Sequence, residues 1–209
     1  MTNSRLDMTM MFAVHDALRR ELTHLARITS RTGDDPRRLL AAAVGWELFK
    51  GYLHVHHTSE DDKLWPAMRR AVAGRPDDLA LLDAMEAEHA VIDPLLAAID
   101  AAVADADSGH ERLGGLVDQL TTDLTGHLKH EETDALPLIG ATLGEREWTE
   151  FGQEHSRRVG PDARGYLPWV LDGMDEERRA AILGRFPEHL RETYARDWRP
   201  AFEQISRWG

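Results

Sequence analysis

Apolar residues recur along this chain three and four positions apart, the spacing of a buried helix face, and no stretch reads as a strand bounded by turns. Leu6, Met10, Val14, Leu18, Leu22 and Leu25 mark a first helix. Residues 31–36 form a turn, with Asp35 placed to cap the next helix and Pro36 at its first position. That second helix carries Leu39, Leu40, Ala43, Trp46, Leu48, Phe49, Leu53 and His56, and Pro66 is expected to kink or end it. After a turn at Gly74 to Asp77, a third helix carries Leu79, Leu82, Met85, His89, Ile92, Leu96 and Ile99. Ser108-Gly109-His110-Glu111 reads as a capping box opening a fourth, which carries Leu113, Val117, Leu120, Leu124 and His127. Connections this short make successive helices antiparallel. The pattern predicts an all-α protein, an up-down-up-down four-helix bundle over residues 1–140.

Residues 141–209 continue as a helical C-terminal extension. Gly144 is placed to cap the end of the fourth-helix segment. Trp148, Phe151 and His155 suggest a fifth helix closed by Gly160-Pro161, and Leu167 to Leu171 precede a turn at Asp172-Gly173. Two more helices follow, the last carrying Leu190, Tyr194, Trp198, Phe202 and Ile205. Trp148, Trp169, Trp198 and Trp208 all lie here, too much aromatic surface to leave in water. The extension is expected to pack on the bundle, to form a homodimer, or to cover the entrance to a site.

One phrase occurs twice on this framework. His56, Glu60, Asp61 and Pro66 fit H-x3-E-[DE]-x4-P, and so do His127, Glu131, Glu132 and Pro137. Residues four apart on a helix share a face, so each phrase aims an imidazole and a carboxylate at one point. Each has an upstream partner: His15 precedes His56 by 41 residues, and His89 precedes His127 by 38. The chain therefore reads as two similar halves. Measured from the turns, these residues differ in height by at most roughly 8 Å at 1.5 Å per residue. Four histidines and two glutamates can meet at one level inside the bundle.

Burying such groups without a partner costs several kcal/mol each, in order of magnitude, and a cation offsets that cost. Nitrogen and oxygen donors without sulfur suit iron, manganese or zinc. Six donors are too many for one tetrahedral zinc and fit two ions bridged by Glu60 and Glu131, with two iron ions preferred. The ordinary reading of any one of these histidines is a satisfied core residue; it is their joint placement that points to metal. An alternative pairing, Glu21 with His24 and Glu86 with His89, fits the E-x2-H pattern of carboxylate-rich bundles. It puts His24 far from the common level and leaves His56 and His127 unused.

Composition narrows the partners. Lys and Arg total 25 against 37 Asp and Glu, a net charge of −12, which disfavours nucleic acid and anionic membranes. The absence of cysteine excludes disulfides, thiolate sites and iron–sulfur clusters. No apolar run reaches transmembrane length, and Met8 to Val14 is too short for a signal-peptide core. A cytoplasmic protein is expected.

These motifs resemble the hemerythrin-like, or HHE cation-binding, family. The resemblance rests on His15; on His56, Glu60 and Leu64-Trp65-Pro66; on Glu88-His89; and on His127, Glu131 and Leu136-Pro137, over roughly residues 8 to 140. It implies a non-heme diiron centre that handles dioxygen, peroxide or nitric oxide, or that serves as a non-catalytic iron or oxygen sensor. Three positions are further ligand candidates. His57 follows the second-helix histidine, where some members take an extra ligand. Asp93 stands where the oxygen carriers have a second third-helix histidine, and Glu132 where they have the fourth-helix carboxylate. His54, His130 and His155 are candidates to support ligands or line an entrance, and His24, His110 and His189 read as surface residues.

Overall fold

The computed structural model describes residues 6–30 and 35–209; most of the expected turn at 31–36 lies outside the described residues. Among them every regular element is helical: α1 Thr9–Thr29, α2 Pro36–Ala42, α3 Val44–Ser59, α4 Trp65–Ala71, α5 Pro76–Ala104, α6 Gly109–His130, α7 Leu136–Thr142, α8 Glu145–Val159, α9 Ala163–Leu171, α10 Glu176–Leu183, α11 Glu188–Thr193 and α12 Arg199–Glu203. The bundle is formed by α1, by α3 running on into α4, by α5, and by α6 running on into α7, with α6 packed against both α1 and α5. No helix among the described residues is long and apolar enough to cross a membrane.

The expected second helix is broken at Ala43, whose backbone is extended at φ −79° and ψ 106°. Its start agrees with the capping pattern: Asp35 accepts the Arg37 N–H at 3.0 Å, with Pro36 in the first turn. The break comes from the other end of the chain. Gly45 N–H donates to the Arg207 carbonyl at 2.8 Å, and a Cβ on Gly45 would fall inside the Trp208 indole. Periodicity within one segment cannot reveal a contact with a residue more than 160 positions away.

Pro66 and Pro137 neither end their helices nor simply kink them. Each follows a five-residue π-turn, Glu60–Leu64 and Glu131–Ala135, in which Trp65 N–H bonds the Glu60 carbonyl and Leu136 N–H bonds that of Glu131. A proline lacks the N–H and its ring collides with the carbonyl four residues back, and the wider turn relieves both problems. Pro200 follows a third such turn, Tyr194–Trp198, where no candidate ligand lies. Pro94 and Pro168 sit within α5 and α9 without one, so a proline permits the wider turn and does not compel it. In the bundle, both glutamates of the repeated phrase, Glu60 and Glu131, open such a turn.

The apolar core falls into two clusters. One is built around Leu18, Phe49, Ile92, Leu124 and Trp169, the other around Trp65, Met68, Met85, Leu136 and Phe151. On each bundle helix the histidines and glutamates lie at the junction of the two. Residues of the extension join both clusters, and Trp169 is fully buried. Arg20 donates to the Trp169 and Asp172 carbonyls at 2.8 Å each, and Trp208 Nε1 donates to Glu21 at 2.6 Å. The aromatic surface of the extension is thus used against the bundle. Gly144 opens α8 and does not close the preceding segment, which stops at Leu143 because its backbone turns extended there.

The expected capping box at Ser108 does not form. Asp105 takes that role, accepting the backbone N–H groups of Asp107 and Ser108 and the Ser108 hydroxyl. Those bonds hold the Asp105 carboxyl below its ordinary range. They also draw the α5–α6 turn so tight that a Cβ on Gly109 would overlap the Ala102 carbonyl oxygen. Gly109→Ala should therefore cost about 1–3 kcal/mol in urea unfolding, as overpacking does. Gly115→Ala, exposed in mid-helix with open space around its Cβ, should instead gain about 0.5–1 kcal/mol. Equal effects would mean that the turn relaxes freely.

Candidate metal centre

The two repeated phrases and their upstream histidines converge at the level between the two apolar clusters. Two groups of potential metal donors lie there, each with its donor atoms within 4.8 Å of one another: His15, His56, Glu60 and Glu131, and His57, His89 and His127. His15 Nε2 is 3.1 Å from His56 Nε2 and 3.1 Å from Glu131 Oε2. His89 Nε2 is 3.0 Å from His127 Nε2. Such spans are those of two donors sharing one ion at about 2.0–2.2 Å each.

The glutamates join the groups. Glu60 turns Oε1 to His56 at 3.4 Å and Oε2 to His89 at 3.5 Å. Glu131 Oε2 lies near both His15 and His127, the latter at 4.0 Å. Both glutamates are 0% exposed, and none of their four carboxylate oxygens has a hydrogen-bond partner; His57 Nε2 is likewise buried and unpartnered. A carboxylate in that state costs several kcal/mol in order of magnitude, and a bound cation is the partner that the donor set fits.

The ring nitrogens on the far side are fixed by acids. His15 Nδ1 donates to Glu132 at 2.8 Å, His89 Nδ1 to Asp61 at 2.8 Å, and His127 Nδ1 to Glu88 at 2.9 Å. A carboxylate can only accept, so each of these Nδ1 atoms carries a proton and Nε2 is the nitrogen that faces inward. The exchange between halves is reciprocal. Asp61 of the first phrase holds His89 of the second half, and Glu132 of the second phrase holds His15 of the first. Arg19 completes the outer layer with two 2.9 Å hydrogen bonds to Glu132.

Electrostatics distinguish the groups. For His15, burial opposes protonation, but the negative charges of Glu131 and Glu132 and the hydrogen bond to Glu132 outweigh it and raise the ring to about 9. Burial, reinforced by neighbouring histidines, pushes His56 and His57 well below the ordinary imidazole range and lowers His127. Burial and the nearby Glu131 drive Glu60 up, whereas His15 holds Glu131 down against its own burial.

All six residues of the core expectation, His15, His56, Glu60, His89, His127 and Glu131, are brought together, and His57 joins them. Asp93 is exposed and belongs to neither group. The buried stripe of α5 steps from His89 to Ile92 and Leu96, which turns residue 93 outward. Glu132 also stands outside both groups, occupied by His15 and Arg19. His130 lies in the outer layer, sharing Glu88 with His127 at 2.7 Å, while His54, His110 and His189 are exposed. His24 stacks on Trp208, and Glu21 is taken by Arg20 and Trp208, so the alternative E-x2-H site is not assembled. Sequence reasoning gave no role to Arg19 or Tyr166. Tyr166 shares a 3.3 Å hydrogen bond with His155 Nε2, and His155 stands 6.4 Å from His56 between ring centroids.

A cavity of about 660 Å³ reaches this centre at His56. Its floor is α1 and α3, and its remaining walls come from α8, α9, α11 and the third π-turn. The only ligand candidate in its lining is His56, of the group that has two imidazoles; the group with three is not exposed to it.

Comparison with known proteins agrees with this geometry. The family model described as the Hemerythrin HHE cation binding domain matches residues 7–139, and the chain belongs to that family. No curated protein and no solved structure gives a significant match.

Two outcomes follow for the metal-free protein. A His15 ring protonated up to about pH 9 must release a proton before Nε2 can bind a cation. Manganese(II) or cobalt(II) affinity should therefore rise by up to about tenfold per pH unit toward pH 9 and level off above it. Glu132→Gln, which withdraws one of the groups holding the proton, should move that plateau to lower pH. An affinity independent of pH between 7 and 9 would contradict this. Glu60→Met should abolish uptake yet stabilise the metal-free chain by about 1–3 kcal/mol in urea unfolding, since it removes a buried carboxylate without partners. A loss of stability would show that Glu60 has a structural partner.

Proposed function

We propose that this chain carries a pair of iron ions and that the centre binds or reacts with a small diatomic molecule or peroxide. One observation carries the reading: four buried carboxylate oxygens without hydrogen-bond partners lie between two sets of imidazoles, with the two oxygens of Glu60 facing different sets. In this reading His15 and His56 serve one ion, His57, His89 and His127 the other, and Glu60 and Glu131 lie between them. When bound, iron in such a nitrogen and oxygen environment supplies one-electron redox chemistry toward dioxygen, peroxide or nitric oxide.

The rest is done by the chain. Asp61, Glu88 and Glu132 hold protons on Nδ1 and leave three Nε2 atoms facing inward as the donors a cation would take. The two apolar clusters keep water from both sides of the layer. The group with fewer imidazoles is the one that meets the cavity, so a small ligand arriving there finds the position less filled by protein. His155, lowered to about 4 mainly by burial, stays uncharged beside His56, and its hydrogen bond with Tyr166 places a hydroxyl group at that wall.

Protein produced in iron-rich medium should contain close to two metal ions per chain, mostly iron, by elemental analysis, and should absorb in the near ultraviolet once oxidised in air. One tightly held zinc and no iron after native purification would sink the diiron reading. Iron-dependent consumption of peroxide or oxygen by the same sample would mark an enzyme; binding without turnover would mark a sensor.

A further inference from the structure

The cavity at His56 is far larger than its proposed small ligand requires. A water-sized molecule claims about 30 Å³, whereas the space between the bundle and the extension is about 660 Å³, within the range of roughly 300–1,000 Å³ typical of pockets for organic ligands. Its lining is apolar and varied: Met10 and Met11 from α1, Phe151 from α8, Leu167 from α9 and Trp198 from the third π-turn. The one charged residue in the lining, Asp7, pairs with Arg185. Polar side chains such as Thr149, Gln153 and Ser156 contribute to the lining, but most of its surface is apolar, and His155 and Tyr166 bond each other beside His56.

An apolar space of this size left to water would squander the surface that the extension brings to it. The extension is also attached too firmly to be a casual cover. Trp169 is fully buried, Tyr52 donates to Asp162 at 2.6 Å, Arg20 donates to the Trp169 and Asp172 carbonyls at 2.8 Å each, and Gly45 N–H donates to the Arg207 carbonyl at 2.8 Å. The cavity is therefore a fixed part of the fold, with one end on the histidine layer.

We propose that this cavity binds an uncharged, largely apolar organic molecule, roughly the size of two linked aromatic rings, with one end against His56. The absence of an unpaired charge from the lining selects against ionised ligands, because a charge moved into apolar surroundings without a partner loses its hydration uncompensated. Methionine and aromatic walls adapt to a planar or irregular apolar shape. As a substrate class for the adjoining centre this rests on the reading above; as a binding site it stands on the cavity alone.

The probe is N-phenyl-1-naphthylamine, uncharged, compared with 8-anilinonaphthalene-1-sulfonate, which has the same ring system and a negative charge. Fluorescence titration of the full chain, metal-free and iron-loaded, should show one site for the uncharged probe, with energy transfer from tryptophan and at least tenfold weaker binding of the sulfonate. Gly152 lines the cavity on α8, and a Cβ there meets nothing within 4 Å. Gly152→Phe should fill the space and weaken the uncharged probe at least tenfold without lowering the melting temperature. Leu190→Glu, which puts a charge on a half-buried wall, should weaken it similarly and serves if the first variant does not fold. Absence of saturable binding, equal affinity for the two probes, or binding unaffected by both substitutions would overturn the proposal. Metal content is measured on the same samples. Iron without probe binding removes this inference alone, and probe binding without iron removes the diiron reading alone.

Discussion

The structure depends on one arrangement: ionisable groups that need each other, or a cation, held where water cannot reach them. Five imidazoles and two carboxylates occupy the middle of a helical bundle, and the oxygens of both carboxylates lack hydrogen-bond partners. Hydrophobic burial cannot favour such a layer, since each polar group placed there loses its hydration. The apolar core tolerates it by dividing in two, each part large enough to hold the helices in register. Register in turn sets the spacing of donor atoms at 3.0–3.5 Å across most of the layer. The acids outside the layer follow from the same need, because an imidazole with both nitrogens free could present either one inward.

Much of this was legible because four-residue spacing is both a helical period and the way a helix aims two side chains at one point. The apolar periodicity gave the fold class, and the repeated phrase with its upstream histidines gave six of the residues that meet in the layer. The second acid of each phrase was harder to place. Its partner lies in the other half of the chain, so Glu132 read as a ligand candidate when it in fact holds His15. Asp93 failed for a local reason: the buried face of α5 advances by three residues after His89, and counting by four lands on the solvent side. The break at Ala43 and the loss of the Ser108 capping box had no local signal either. The first is set by contacts with Arg207 and Trp208 near the C-terminus, the second by Asp105, which accepts the Ser108 N–H that the Glu111 side chain would have taken.

His57 shows how a helix can contribute to both groups. Adjacent residues on a helix point about 100° apart, which normally sends one of them to solvent. Here α3 stands at a corner of the bundle. His56 turns to His15, with ring centroids 5.1 Å apart, while His57 stacks on His89 at 3.9 Å and meets His127 at 5.3 Å. Both directions lead inward. Sequence alone could not choose between a ligand and a solvated face for His57, because the choice depends on the location of α3 relative to its neighbours and not on any property of the segment.

The two halves are alike in their phrases, their π-turns and their exchanged acids, yet the layer they build is unequal. The residue matching His57 in the second phrase is Leu128, fully buried in the apolar core. One substitution between repeats therefore gives one group three imidazoles and leaves the other with two. The extension adds to the inequality, since its cavity touches the layer only at His56. Neither feature requires the bundle to deform: Leu128 packs where a histidine would need a partner, and α8 and α9 cover a face the bundle already has. A frame built from two like halves thus supports a layer in which the group with fewer imidazoles is also the one the cavity reaches.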